Sequence, residues 1–178
     1  TRPGVTAVVA SGDDGFTSAA FPASIPKAVA VGGTALKRVP GPRGFSERAW
    51  GYGGSGCSGY FGKPGYQHDP ACPKRTIADV SAVAEDLAIY NTTIPRAYAG
   101  WLEVAGTSAS SPFVAGLIGA AGGGGLRPAA LYADHSDLRD VVTGRNGFCQ
   151  GSYLCMAKKG YDAPTGLGTP KGYAAFVG

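Results

Sequence analysis

Glycine or proline interrupts this chain at nearly one position in four, with 30 glycines and 13 prolines among 178 residues. Glycine usage alone is more than twice the usual level of about 7%. Both residues are costly inside a helix, one through backbone entropy and the other through a missing N–H and a steric clash. A helical bundle or coiled coil is thereby excluded, and short elements joined by tight turns are expected. The apolar share of 44% is ordinary for a globular chain, which argues against wholesale disorder. One domain of this length buries roughly 70% of its unfolded surface.

Between the punctuation marks, strands and helices alternate. Val5 to Ala10 is short, apolar and partly β-branched, bounded by Gly4 and by Ser11-Gly12. That is the pattern of a strand buried on both faces. Lys27 to Val31 repeats it and stops at Gly32-Gly33. Residues 37–76 read as one long loop of the kind that carries function. Strand signals return over 78–84, 87–90 and 101–105. A helix is expected from Ser108 to Ala121, because Phe113, Val114, Leu117, Ile118 and Ala121 recur at helical spacing. Pro112 then falls near the first turn, and the Gly122–Gly125 run ends the helix. Residues 128–133 suggest a second, shorter helix, and 136–170 a loop-rich lobe. The expected fold class is α/β, a doubly wound parallel sheet covered by helices. No internal repeat is visible.

Charge narrows the partners. Sixteen Lys and Arg against twelve Asp and Glu give a net +4, but the basic residues are scattered, so no nucleic-acid footprint is expected. The longest apolar stretch, Phe113 to Gly125, is about a dozen residues, against the roughly 20 of a spanning helix, so no membrane association is expected either. The chain opens at Thr1 with no Met, basic segment or apolar leader, which reads as a processed or truncated product. Four cysteines fall into two local pairs, Cys57/Cys72 and Cys149/Cys155. Zinc ligation and free buried thiols are the alternatives, but CxxC doublets are missing and His68 and His135 are poorly placed to complete a site. Of three possible connectivities the local one is simplest, and it implies an oxidising compartment.

Two motifs carry candidate chemistry. Gly106-Thr107-Ser108-Ala109-Ser110-Ser111-Pro112 lies where a strand becomes a helix. A serine there stands at a helix N-terminus, whose free amides and dipole favour negative charge. An acyl-transfer nucleophile suits that place, since its oxyanion can use the same amides. The plainer reading is an ordinary helix N-cap. Ser11-Gly12-Asp13-Asp14-Gly15 follows the first strand directly. It reads either as turn chemistry or as a ligand-facing loop at the carboxyl end of a sheet, where it could meet Ser108.

Together these motifs resemble the sedolisin (serine-carboxyl peptidase) family, whose fold is subtilisin-like. Phe21-Pro22-Ala23-Ser24, Val29 to Thr34, Ala78 to Ala84, and Gly160-Tyr161-Asp162 with Thr165 to Pro170 are similar to stretches of that family, in the same order. The resemblance covers essentially the whole chain, residues 1–178, as the C-terminal portion of one peptidase domain. It implies a secreted endopeptidase acting on polypeptides, with Ser108 as nucleophile and Asp13 in the oxyanion hole. A protonated Asp13 can donate a hydrogen bond to an oxyanion whereas an ionised one repels it, so the resemblance also implies action at acidic pH. It further implies a calcium ion in the lobe over 136–170, held by the carboxylates of Asp140 and Asp162 and the carbonyls of Val141, Lys158 and Gly160. The family usually has glycine where Lys158 stands.

The chain departs from the family at one catalytic element. The family's base is a Glu oriented by an Asp four residues away on a helix, and no Glu-x-x-x-Asp occurs here. Glu85, Asp86 and Glu103 match no motif that would give them the role. The base is therefore expected from a second chain or from a missing N-terminal half, and this chain alone is expected to be inactive. The alternative is a catalytically inactive module that only binds peptides or proteins.

Overall fold

The computed structural model describes residues 2–93 and 99–177. Its centre is a strand, β2 (Val29–Arg38), flanked by β1 (Val8–Ala10) and β6 (Val80–Val83). Both neighbours run parallel to β2, with Val8 opposite Val29 and Val31 opposite Val80. The far end of β2 turns back as a hairpin to β3 (Phe45–Ala49), pairing Thr34 with Ala49 and Arg38 with Phe45. The sheet is thus parallel in its core and antiparallel at one end.

Alternation along β2 explains its burial. Val29 and Val31 face a cluster with Val80, Ala82 and residues of the main helix, while Ala30 packs on the opposite side with Ala19, Ala23 and Ile77. A strand covered on both faces reads as a continuous apolar run, as expected for this segment. The helix α1 (Thr107–Ala120) lies across β1, β2 and β6 through Val114 and Ile118. The shorter α2 (Pro128–Ala133) adds Leu131 to the same core. Its bounds are those expected, while α1 begins one residue early and ends one residue early. Because α1 begins at Thr107, Pro112 sits in its second turn, where it removes a hydrogen bond to the Ser108 carbonyl.

Three expectations need correction. The first strand is three residues, not six, because residues 5–7 lie outside the ladder with β2. Residues 37–76 are not one loop: besides the end of β2 and β3 they hold β4 (Gly56–Gly62) and the start of β5 (Lys74–Ile77), an antiparallel pair. The strand signals near 87–90 and 101–105 form β7 (Leu87–Asn91) and β8 (Gly100–Val104), which make an antiparallel hairpin of their own rather than joining the parallel sheet. The lobe over 136–170 is loop-rich as expected, tied by the two-residue pair β9 (Leu138–Arg139) and β10 (Thr169–Pro170). Both local cysteine pairs are bonded, Cys57–Cys72 and Cys149–Cys155, with Cα atoms 5.7 and 5.8 Å apart.

Two surfaces are left open. Among the described residues β1 pairs only with β2, so its other edge carries no strand. Helix α1 exposes Phe113, Ala115, Gly116, Gly119 and Ala120, an apolar face on a helix whose other side is already buried. A helix apolar all round belongs in an interior. Among the described residues no helix is long and apolar enough to cross a membrane.

Candidate functional site

Residues 12–13 and 106–108 come from opposite halves of the chain and meet at the carboxyl ends of the strands. The Thr107 backbone N–H donates to Asp13 Oδ1 at 2.7 Å, and the Thr107 hydroxyl donates to the same oxygen at 2.9 Å. The Gly12 N–H donates to Thr107 Oγ1 at 3.1 Å, closing the junction. Asp13 therefore caps a helix that has no side-chain cap of its own, since Gly106 stands at the N-cap position. A carboxyl at that place satisfies orphan amides and meets the positive end of the dipole.

Gly106 shows how close the two candidates lie. A Cβ built there would stand 2.9 Å from Ser108 Oγ and 3.0 Å from Asp13 Oδ2. Its φ of 145° is also one that only glycine adopts readily. Oδ1 is thus spent on Thr107, while Oδ2 faces the side where Ser108 Oγ lies. The pair expected from sequence is brought together.

The three serines of the motif separate cleanly. Ser108 is exposed, in the first turn, where amides lack an intrahelical acceptor. Ser110 is fully buried, with its hydroxyl 3.1 Å from the Ala82 carbonyl and 3.0 Å from that of Val83. It pins α1 to the end of β6. Ser111 is buried as well. Only Ser108 offers a hydroxyl to the outside. Thr107 was given no role by sequence, and its signal was only its place inside the motif.

No carboxylate or imidazole among the described residues bonds to Ser108. Glu85 pairs with Arg48 at 3.4 Å, and Glu103 lies exposed on β8 opposite Ala88. His68 and His135 line a separate cavity with four tyrosines.

Four of the five residues of the expected calcium site lie near one another, through backbone N–H groups rather than carbonyls, and Val141 adjoins them only along the chain. Asp162 Oδ2 accepts from the Lys158 N–H at 2.9 Å, and Oδ1 from the Thr165 N–H and hydroxyl, both at 2.9 Å. Asp140 Oδ2 accepts from the Gly160 N–H at 2.8 Å. Burial pushes the Asp162 carboxyl up to about 7, its hydrogen bonds from Lys158 and Thr165 oppose this, and the nearby Asp140 adds to the rise. The two carboxyls come from separate segments, residues 140 and 162, and a carboxylate has about four lone-pair sites, so acceptors remain on each. Carboxylate oxygens are the ligand type that calcium takes, and no cluster of three or more His, Cys, Asp or Glu forms among the described residues.

No protein-family model matches the chain. It is similar to sedolisin of Pseudomonas sp. (strain 101), 33% identical over 181 residues, covering 88% of this chain and 30% of that protein. It is also similar to tripeptidyl-peptidase sed1 of Aspergillus fumigatus, at 30% identity, covering 98% of this chain and 35% of that one. Kumamolisin of Bacillus sp. (strain MN-32) is 29% identical across 95% of this chain. The chain spans about a third of the length of these curated relatives. Among solved structures, Pseudomonas sedolisin complexed with pseudo-iodotyrostatin superposes with a TM-score of 0.73 at 30% identity, covering 94% of this chain and 54% of the other. Sphericase, at 21% identity and a TM-score of 0.56, shares the fold.

Proposed function

The chain belongs to the sedolisin family, and on that premise we propose that it carries the nucleophile and the oxyanion side of a serine-carboxyl endopeptidase. The observation that carries this reading is that Ser108 Oγ and Asp13 Oδ2 both border the one space beside Gly106 that a Cβ would fill, at 2.9 and 3.0 Å from it. Ser108 Oγ gives its proton to the external base and attacks the scissile carbonyl; the C–N bond then breaks, the leaving amine takes that proton, and the acyl-enzyme remains for water to hydrolyse. The oxyanion takes hydrogen bonds from the helix-start amides and from a proton on Asp13 Oδ2. Oδ1 cannot share that task, because it already accepts from Thr107.

The general base comes from outside the described residues, from a Glu and Asp on a second chain or on a further part of the same domain. The open edge of β1 and the exposed apolar face of α1 support that reading. An edge strand and an apolar helix face left in water are aggregation hazards, and a covering half removes both. Two disulfides fit secretion into an oxidising compartment.

The test is a pH–rate profile of the assembled protein on a peptide substrate, with Asp13→Asn beside the parent. Asparagine keeps an acceptor for Thr107 and puts an N–H where Oδ2 stood, at every pH. The parent is expected to work in acid and fail toward neutrality. The variant should retain activity there. A parent profile peaking at or above pH 7 refutes the acid-acting reading. No turnover at any pH, with no labelling by a serine-directed phosphonate, leaves the non-catalytic binding module.

Calcium belongs to the same proposal. Asp140 and Asp162 would hold it with the carbonyls of Val141, Lys158 and Gly160, and bound calcium would cross-link a lobe with little core of its own. A ligand that binds only the folded form raises stability by mass action. Chelator is therefore expected to lower the thermal midpoint at pH 7.5, and calcium to restore it. An unchanged midpoint means that the hydrogen bonds of the two aspartates suffice.

A further inference from the structure

Beyond β6, where the Leu167 N–H bonds the Asp79 carbonyl at 2.8 Å, the chain surrounds a cavity of about 520 Å³. Pockets of roughly 300–1,000 Å³ hold small ligands. None of its lining residues belongs to the Ser108 centre.

Four tyrosines wall it: Tyr66, Tyr132, Tyr153 and Tyr161. Their rings are fixed against one another, with centroids 4.9 Å apart for Tyr66 and Tyr132 and 5.8 Å for Tyr132 and Tyr161. Every hydroxyl is already spent. Tyr66 donates to the Pro26 carbonyl at 2.7 Å and Tyr161 to that of Ala78 at 3.1 Å. Tyr132 donates to Asp79 Oδ1 at 3.0 Å and Tyr153 to Asp69 Oδ2 at 2.6 Å. What the tyrosines offer a ligand is therefore ring surface, apolar and suited to offset or edge contacts with another ring. Burial also pushes all four phenols upward, Tyr153 to about 12, so the wall stays uncharged through neutral pH.

On this cavity's lining the charges outside an ion pair among the described residues are positive. Asp69 also lines it, but its Oδ1 lies 2.6 Å from Lys63 Nζ and its Oδ2 accepts from Thr76 as well as Tyr153. Lys158 and Lys159 line it too, both exposed, and neither joins an ion pair among the described residues. His68 and His135 add ring nitrogens. Asp140 lines the adjoining cavity of about 510 Å³, with one oxygen engaged by the Gly160 N–H.

We propose that this cavity binds an aromatic ring bearing a carboxylate, with the ring among the tyrosines and the carboxylate toward Lys158 and Lys159. Such a group is carried by a free aromatic acid or by the C-terminal aromatic residue of a peptide. The site shares no residue with Ser108 or Asp13, and it shares Lys158 with the proposed calcium site only by residue, since calcium would use the Lys158 carbonyl, which Lys158→Gln keeps.

Calorimetric titration of the full chain at pH 7.5 tests it, with N-acetylphenylalanine against its primary amide. The acid is expected to bind at least tenfold more tightly than the amide. Lys158→Gln with Lys159→Gln should bring the acid down to the level of the amide, with circular dichroism unchanged. A pentapeptide ending in phenylalanine, with free or amidated terminus, distinguishes the sources. Binding of the free-ended peptide identifies a chain end, and its exclusion while the small acid binds identifies a free acid. Equal affinity for acid and amide, no binding of either at 10 mM, or undiminished acid binding in the double variant overturns the proposal. The acid–amide comparison on the parent chain decides even where the variant misfolds.

Discussion

Ser108→Ala is expected to lower kcat/KM of the assembled peptidase by about four to six orders of magnitude, the scale on which removal of a serine nucleophile acts. The fold should hardly notice. Ser108 is exposed, Asp13 rather than Ser108 caps the helix, and alanine is the better helix former. Ser110→Ala is the informative control. Its hydroxyl lies within hydrogen-bond distance of the Ala82 and Val83 carbonyls, so its loss strands buried acceptors at about 1–3 kcal/mol. Stability should fall there, and activity only as far as α1 shifts on β6. The measurements are kcat/KM, the thermal midpoint, and the site labelled by a serine-directed phosphonate. Label on Ser110, or turnover surviving in the Ser108 variant, removes the proposed nucleophile.

The elements legible in the sequence are those whose residues face one environment along their length. Val29 to Val31 is buried on both sides and reads as a strand at once. Helix α1 was placed to within a residue at each end because Val114, Leu117 and Ile118 keep the helical period. Strands β3 and β4 failed for the opposite reason. Residues 45–48 of β3 are exposed or half-buried, and β4 contains three glycines, so neither shows alternation against a core. Strands β7 and β8 were seen, but not that they pair with each other. Nothing local in Leu87–Asn91 says whether its partner lies in the sheet or along the chain.

The candidate site divides the same way. Ser108 and Asp13 were legible from their motifs, and their convergence from both lying at strand ends. Thr107 as the hinge between them was not, because its contacts join positions 95 apart. The tyrosine-walled cavity was not legible either. Its walls come from residues 66, 132, 153 and 161, four separate segments whose apolar edges cluster only after folding.

The support beneath the site went unread for a related reason, because a charged residue inside a short strand looks exposed until its partner is known. Arg75 and Asp79 are both fully buried. The guanidinium grips the carboxylate through two bonds, 2.8 and 2.6 Å. Asp79 also accepts from the Ala30 N–H at 2.8 Å and from the Tyr132 hydroxyl at 3.0 Å. One carboxylate thus ties β5, the start of β6, β2 and α2, and β6 in turn holds Ser110. Burial opposes the charge on Arg75, but the Asp79 carboxylate outweighs it and raises its pKa. Asp79→Ala is expected to cost about 3–5 kcal/mol, the scale for breaking a buried pair. At this size that lowers the thermal midpoint by roughly 6–20 °C. Arg75→Met should cost less. The carboxyl left behind keeps Ala30 and Tyr132 and can take up a proton, whereas a guanidinium stranded by Asp79→Ala can never lose one. Urea denaturation of the two single variants measures the difference. A larger loss from Arg75→Met would mean that the guanidinium's other contacts, with the Thr76 carbonyl at 2.8 Å and the Tyr66 ring, matter more than its pairing with Asp79.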